Sequence, residues 1–270
     1  MTQPEKAKRL RELHHSGQIL VLPNAWDVAS AVIFEQAGFP ATATSSAGVA
    51  AVFGYPDGQH IQPELMLDMV RRIVHAVSTP VSADLESGYA NPVQSAVRLM
   101  QAGGAGLNLE DTTEEDPSTL ADLARQVELI RVIRSNTNLV INARTDVFLA
   151  GIGDPATRFD RTIERLQAYH AAGADSLFVP GVKDAQTIGR LAQTLKGPLN
   201  ILAVAGSPSI SELQKLGVAR VSVGSGPMRA ALGLARRMAQ EFSEQGTYTA
   251  MTQGAVTYAE VQRMLTGKGV

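Results

Sequence analysis

QAGGAGLNLED, residues 101–111, carries both halves of the fold in one phrase. Gln101 and Ala102 end a helical pattern, Gly103 follows, and from Gly106 onward apolar residues alternate with small or polar ones. A glycine just past a helical pattern is a stop signal. Alternation with a period of two is the mark of a strand, whose successive side chains point to opposite faces. Similar endings recur at EQAGFP (35–40), AAGADS (171–176) and KLGVAR (215–220), and a strand candidate follows each time.

Working outward gives eight strand candidates: 19–25, 41–48, 81–87, 106–111, 139–146, 176–181, 200–204 and 220–225. The stretches between them read as helices. Asp116-Pro117 resembles an N-cap and first-turn pair, with Leu120, Leu123, Val127 and Ile130 on one face behind it. Asp154-Pro155 repeats that opening before Phe159, Ile163 and Leu166. Strands that alternate with helices, without a linker, predict an α/β fold: a (β/α)8 TIM-type barrel as a single domain over residues 1–270. TYAEVQRMLTGKG (257–269) predicts extra helix in a C-terminal extension from about residue 240. The rival, a doubly wound open sheet, would carry a glycine-rich nucleotide turn after the first strand, and LPNAWD (22–27) has none.

Composition narrows the function. Hydrophobic residues are 44% and charged residues 19%, as in a globular protein with ample core. The formal net charge is -2 with no basic block, which speaks against nucleic acid or a membrane surface as partner. With no cysteine there is neither a disulfide framework nor a thiolate site. MTQPEKAKRLRELHHSG (1–17) has no apolar core, so it does not read as a secretory signal, and no segment reaches the ~20 apolar residues of a membrane span. The expectation is a cytoplasmic protein.

The charged residues collect where such barrels do chemistry, at the C-terminal strand ends. Asp84 and Glu86 close the third strand candidate, Glu110 and Asp111 the fourth, Arg144 and Asp146 the fifth. By parity Ser82, Asp84 and Glu86 share a face, as do Asn108 and Glu110, and Asn142, Arg144 and Asp146. Val81, Leu85, Leu107, Leu109 and Ile141 occupy the opposite faces. The polar rows are therefore expected to point inward. Inward carboxylates repel in a site of low dielectric, and each takes up a proton or finds a cation. Arg144 balances one of them. An all-oxygen ligand set suits a hard divalent ion, Mg2+ ahead of Mn2+, with one direct carboxylate and others acting through water. Singly, each acid also has an ordinary reading as a helix cap or a surface ion-pair partner.

LPNAWDVASA (22–31), TSSAGVAAVFGYPDG (44–58), ADLESGY (83–89), GLNLEDTT (106–113), INARTDVFLAG (141–151) and SPSISELQKLGVARVSVGSG (207–226) occur in that order. Together they resemble the isocitrate lyase/phosphoenolpyruvate mutase superfamily from about residue 19 to 235. The resemblance implies a (β/α)8 barrel assembled as a homotetramer with a helix exchanged between paired subunits. It implies a Mg2+ site for small 2-oxo or 2-hydroxy acids. It also implies cleavage or formation of a C–C or P–C bond through an enolate-like pyruvate that the metal stabilises. By position it makes Asp84 the direct metal ligand and Asp57, Glu86 and Glu110 its partners through water. Arg144 becomes the substrate anchor, and Ser45, Ser46 and Ala47 the loop that holds the substrate carboxylate. Asp57, Glu110 and Arg144 are the catalytic candidates, and Asp84 and Arg144 also face the substrate.

The departures bear on the reaction. Lyases for isocitrate and methylisocitrate carry a Lys-x-Cys-Gly-His loop after the fourth strand, and phosphonomutases a longer lid with Lys and Asn. This chain has DTTEEDPST (111–119) there. Pro180 stands where mutase-like members have histidine, and Glu86 where Asp-x-Asp is usual. The leading expectation is a lyase that cleaves a C–C bond of a small 2-oxo or 2-hydroxy (di)carboxylic acid, by oxaloacetate decarboxylation or aldol-type cleavage. P–C chemistry on phosphoenolpyruvate or phosphonopyruvate is the alternative, and a barrel that binds an oxo acid without turnover is a third. The turns 205–207 and 224–226 read either as phosphate sites or as ordinary tight turns. Glu114 or Glu115 reads as a lid acid or as part of an exposed acidic run.

Overall fold

The computed structural model of the chain describes residues 1–113, 116 and 118–267. Its strands are β1 (Leu20–Leu22), β2 (Asn24–Ala25), β3 (Thr42–Thr44), β4 (Val81–Asp84), β5 (Gly106–Leu109), β6 (Val140–Arg144), β7 (Ser176–Val179), β8 (Leu199–Leu202) and β9 (Arg220–Ser222). All paired neighbours are parallel. The first expected strand is two short ones split at Pro23, which has no amide hydrogen to give a ladder. β1 pairs with β9 and β2 with β3, so this one run supplies both edges and closes the sheet into the expected barrel.

The helices are α1 (Gln3–Leu13), α2 (Val28–Gln36), α3 (Ser46–Val52), α4 (Pro63–Ala76), α5 (Pro92–Gln101), α6 (Leu123–Asn136), α7 (Arg158–Ala171), α8 (Ala185–Thr194), α9 (Ile210–Lys215), α10 (Gly226–Glu244), α11 (Thr249–Thr252) and α12 (Tyr258–Leu265). The four repeated glycines behave as read: Gly38, Gly103, Gly173 and Gly217 have φ of 88°, 90°, 111° and 91° just past α2, α5, α7 and α9. Such backbone is open to glycine at little cost, and the chain turns there into the next strand.

One helix start differs from expectation. α6 begins at Leu123, where the Asp122 carboxylate accepts from the Arg125 amide at 3.0 Å. Asp116 instead spends its carboxylate on the Ser118 amide and hydroxyl, at 2.9 and 2.6 Å, and Leu120 bridges to Thr112. The segment is a strap leading to the helix; Pro117 lies outside the described residues. Asp154 does open the next unit, through a single 3-10 turn at Pro155–Thr157 before α7.

Strand alternation sorts the barrel into two environments. Val81, Ala83, Leu107, Leu109, Ile141, Ala143, Leu177 and Val179 are buried in one core with the surrounding helices. The opposite parity faces the barrel axis. At its lower end Leu20, Leu22, Ala41, Ala43, Ala105 and Val140 close around Leu10 and Leu13 of α1. α1 is tied there by polar contacts to distant loops: Gln3 to Gly104 and Asn138, Lys6 Nζ to the Val77 carbonyl, and Arg11 to Asp175 at 2.7 Å. The charged, helix-like N-terminus is therefore a plug. Above it the axis turns polar, with Ser82, Asn108, Asn142, Ser176, Asn200, Arg220 and Ser222 all buried. α10 runs unbroken past residue 240, and α11 and α12 follow it; α12 packs on α2. Among the described residues no helix is long and apolar enough to cross a membrane.

Candidate active site

β4 ends at Asp84, whose amide donates to Thr44 Oγ1 at 3.0 Å. Its Oδ2 accepts from the Ser46 hydroxyl at 2.9 Å and the Ser46 amide at 3.4 Å, while its buried Oδ1 has no hydrogen-bond partner. Ser45 caps α3 by accepting from the Gly48 amide at 3.2 Å, which fixes Ser46 and Ala47 as the first residues of that helix. Asp57 lies beside Ser46, with the two side chains 3.5 Å apart.

Strand parity alone does not bring Glu86 to this cluster, since β4 has already ended. Its φ of 55° turns the chain back, and the buried side chain is left with Oε1 unpartnered. The other non-glycine residues of positive φ, Gln59 and Tyr89, are its neighbours. Gln59 joins them by accepting from the Tyr89 amide at 2.6 Å and donating to Ser87 at 2.8 Å. The left-handed non-glycine backbone among the described residues is thus gathered in one staple between the Asp57 loop and the turn after β4. Backbone strain of this kind concentrates where a site must be held.

The carboxyls feel one another. Burial, followed by Asp84, Glu110 and Asp57, pushes Glu86 up to about 9. Burial and then Asp84 raise Asp57. Glu110 is raised by burial, against the pull of Arg144. Arg144 Nη1 pairs with Glu110 at 2.8 Å, and its Nε and Nη2 hold Asp146 at 2.6 and 2.7 Å. Burial opposes the charge of this guanidinium, but Glu110 and Asp146 outweigh it and keep it charged. Arg144 was expected to balance one carboxylate and instead bridges two. Asp111 is turned the other way, into the helix layer, where Arg165 and Tyr169 of α7 bind it at 2.7 and 2.8 Å.

A cavity of about 150 Å³ opens over these groups, lined on one side by Ser45, Ser46, Ala47, Asp57, Asp84, Asn108 and Arg144. Asn24, Leu149, Phe178, Pro180, Leu202, Ser222, Gly224 and Ser225 complete it. Glu86 and Glu110 stand behind this lining. In the 224–226 turn two amides are already spent: that of Gly224 donates to Asn24 Oδ1 at 2.9 Å, as does the preceding Val223 amide at 2.8 Å, and that of Gly226 donates to the Val223 carbonyl at 3.1 Å. Gly206 and Ser207 line a separate groove with Lys183 and Lys215. Glu114 and Glu115 lie outside the described residues.

Asn24, Phe178 and Arg220 went unmarked in the sequence. The inward parity of Asn24 and Phe178 was the available signal. Arg220, fully buried beneath the cavity, reaches Asn108 Oδ1 at 3.4 Å; burial lowers it to about 9 while Asp84 favours its charge.

The donor set fits a hard divalent ion in one respect and limits it in another. Unpartnered oxygens on Asp84 and Glu86, and carboxyls that raise one another, call for positive charge. Among the described residues, however, no three acidic or histidine side chains form a group able to hold a metal directly. An ion with one direct carboxylate and further contacts through water, the habit of Mg2+, suits both facts.

The phosphoenolpyruvate phosphomutase family model matches residues 10–243. An uncharacterised protein of Mycobacterium tuberculosis is 35% identical over 94% of this chain and 95% of its own length. A Burkholderia cenocepacia J2315 structure, provisionally called a lyase/mutase, superposes with a TM-score of 0.90 at 36% identity, over 98% of this chain and 97% of that one. Oxaloacetate decarboxylase 2 of Pseudomonas putida is 28% identical over 78% of this chain and 72% of its own length. The fold also matches a phosphonopyruvate hydrolase crystallised with oxalate and Mg2+, at a TM-score of 0.86 and 24% identity over 99% of this chain and 96% of that one. The ordered motifs, the closed barrel and these matches agree: the chain belongs to the phosphoenolpyruvate mutase/isocitrate lyase superfamily.

Proposed function

We propose that this protein is a Mg2+-dependent lyase that breaks the C–C bond beyond the carbonyl of a small 2-oxo or 2-hydroxy acid, releasing pyruvate. The observation that carries the reading is that Asp57, Asp84 and Arg144 line one small cavity, with Glu86 and Glu110 behind the lining and electrostatically tied to them. Asp84 is the direct ligand of the ion, and Asp57, Glu86 and Glu110 act on it through water. When bound, the ion supplies Lewis-acid stabilisation for negative charge at the substrate's 2-oxygen.

The remaining work falls to the chain. The Ser45–Ala47 segment receives the substrate carboxylate with its hydroxyl and amide groups. Arg144, clamped in one plane by Glu110 and Asp146, adds a fixed positive charge that needs no reorganisation as the bond breaks. Asp57 lines the cavity and is the group that accepts and returns a proton. The absence of cysteine from the chain speaks against isocitrate-type cleavage. The acidic strap DTTEEDPST speaks against a phosphoryl dianion.

Assays with Mg2+ against oxaloacetate, methylisocitrate and phosphonopyruvate test the reading. Pyruvate release from phosphonopyruvate alone would favour P–C chemistry, and oxalate binding with no turnover of any substrate would favour a sensor. Asp84→Ala is expected to remove Mg2+ binding, measured by calorimetry, while the circular dichroism spectrum is retained. Unchanged Mg2+ affinity in that variant would sink the metal assignment.

The same reading makes the protein a cytoplasmic homotetramer with a helix exchanged between paired subunits. α10 supports it: of its 19 residues only Met228 is buried, and Leu232, Leu234 and Phe242 are exposed.

A further inference from the structure

The lining of the cavity is mixed, and its apolar part bears on the far end of the substrate. Beside the carboxylate loop, Asp57, Asp84 and Arg144 stand the polar Asn24, Asn108, Ser222 and Ser225, while Leu149, Phe178, Pro180 and Leu202 supply the apolar part, Phe178 with its ring centroid 5.7 Å from Arg144 Cζ. Among the described residues that line the cavity, Arg144 is the one basic side chain. Its guanidinium is already engaged on three nitrogens by Glu110 and Asp146. A second carboxylate or a phosphonate on the ligand needs its own cation, since an unpaired charge in such a site loses its hydration without compensation. None is at hand. Lys183 and Lys215 line another groove, and the strap after β5, DTTEEDPST, contains neither Lys nor Arg. The apolar part of the lining includes Leu149, which is 48% exposed. Pockets for drug-sized ligands run to ~300–1,000 Å³; at about 150 Å³ this one takes a short chain.

We propose that the substrate is a monocarboxylate, a 4-hydroxy-2-oxo acid whose far end is a short uncharged alkyl group lying against Leu149, Phe178, Pro180 and Leu202. This rests on the lyase reading above and selects its aldol branch. The step balances without an oxidant or co-reactant. The 4-hydroxyl gives its proton to Asp57 and its O–H electron pair becomes part of a new carbonyl. The C3–C4 bond breaks, and its pair passes to C3 as the enolate of pyruvate. The proton then returns to C3. The products are pyruvate and a neutral aldehyde.

The test is competition against oxalate in Mg2+, followed by calorimetry, with two matched ligands. 4-Methyl-2-oxopentanoate and oxaloacetate differ only in carrying an isopropyl or a carboxylate group on C3. The alkyl acid is expected to bind at least about tenfold tighter. The series pyruvate, 2-oxobutanoate, 2-oxopentanoate should gain about fourfold per buried methylene. Leu149→Lys, at an exposed position where folding tolerates a charge, should cut the alkyl-to-carboxylate ratio about tenfold. Pyruvate should be released from 4-hydroxy-2-oxopentanoate faster than from oxaloacetate. A tighter oxaloacetate, a flat alkyl series or a ratio unmoved by Leu149→Lys overturns the proposal while the lyase reading stands. Failure of oxalate to bind in Mg2+ removes the lyase reading itself, and this proposal with it.

Discussion

Glu86 combines three features that are individually unusual: a buried carboxyl, an unpartnered oxygen and left-handed backbone. Without a cation its pKa, raised to about 9 from an ordinary 4.5, makes the folded protein bind a proton that the unfolded chain releases. That contribution is fully present below about pH 4.5 and is lost as pH rises through about 9. The metal-free protein is therefore expected to lose melting temperature between those limits. Added Mg2+ should restore more of it at the alkaline end. Glu86→Gln, which cannot titrate, should flatten the metal-free profile, as differential scanning fluorimetry can check. An unchanged slope in that variant would remove Glu86 as the source. At this scale the sequence was half legible. It marked Glu86 as an inward acid through strand parity, yet the strand ends two residues earlier and a strained turn supplies the direction. A φ value depends on the Gln59 staple, and no local pattern in ADLESGY announces that contact.

Among the elements, α1 owes its place to contacts that span more than a hundred residues, such as Arg11 with Asp175 and Gln3 with Gly104. Leu10 fills the lower end of the barrel so closely that a Cβ on Gly106 would lie 2.9 Å from its Cδ2. Leu10→Ala is expected to cost about 2–5 kcal/mol in urea unfolding, because the strands around the plug cannot collapse into the space. A cost under about 1 kcal/mol would mean the plug is peripheral to stability. Nearby His14 is buried, its Nδ1 2.7 Å from the Leu10 carbonyl of the same helix, and burial followed by Arg220 pushes its imidazole down to about 3, so it is neutral there. Sequence pattern identified α1 as helical and charged, but its function as a stopper follows from tertiary contacts alone. The same holds for Asp116. Its local chemistry suits a helix cap, and the nearby Ser118 captures the carboxylate first.

For the whole molecule, repeated glycine stops and strand parity carried most of the architecture, because each unit repeats one local rule. Inward faces followed directly for Asp84, Asn108 and Arg144, whereas Asp111, grouped with them at the strand ends, turned into the helix layer. The closure between β1 and β2 and the burial of Arg220 did not, since both depend on how the ring completes itself. The exposed apolar residues of α10 belong to this scale as well. Substituting Leu232 and Phe242 together with Glu is expected to lower the mass measured by light scattering, toward dimer or monomer, with little loss of barrel melting temperature. A wild-type protein that is already monomeric would exclude the tetramer.

The plug beneath the barrel has one more effect, on timing. With α1 sealing the lower end, whatever enters the cavity leaves by the mouth it came through. On the proposed reading, the far fragment would stand nearest that exit, against exposed Leu149, and pyruvate would lie deeper, beside Asp84 and Arg144. Departure is then sequential: the outer fragment goes first and pyruvate last. Steady-state kinetics should register pyruvate as a competitive inhibitor and the outer product as a noncompetitive one. The opposite pattern would mean that pyruvate leaves first, against this order.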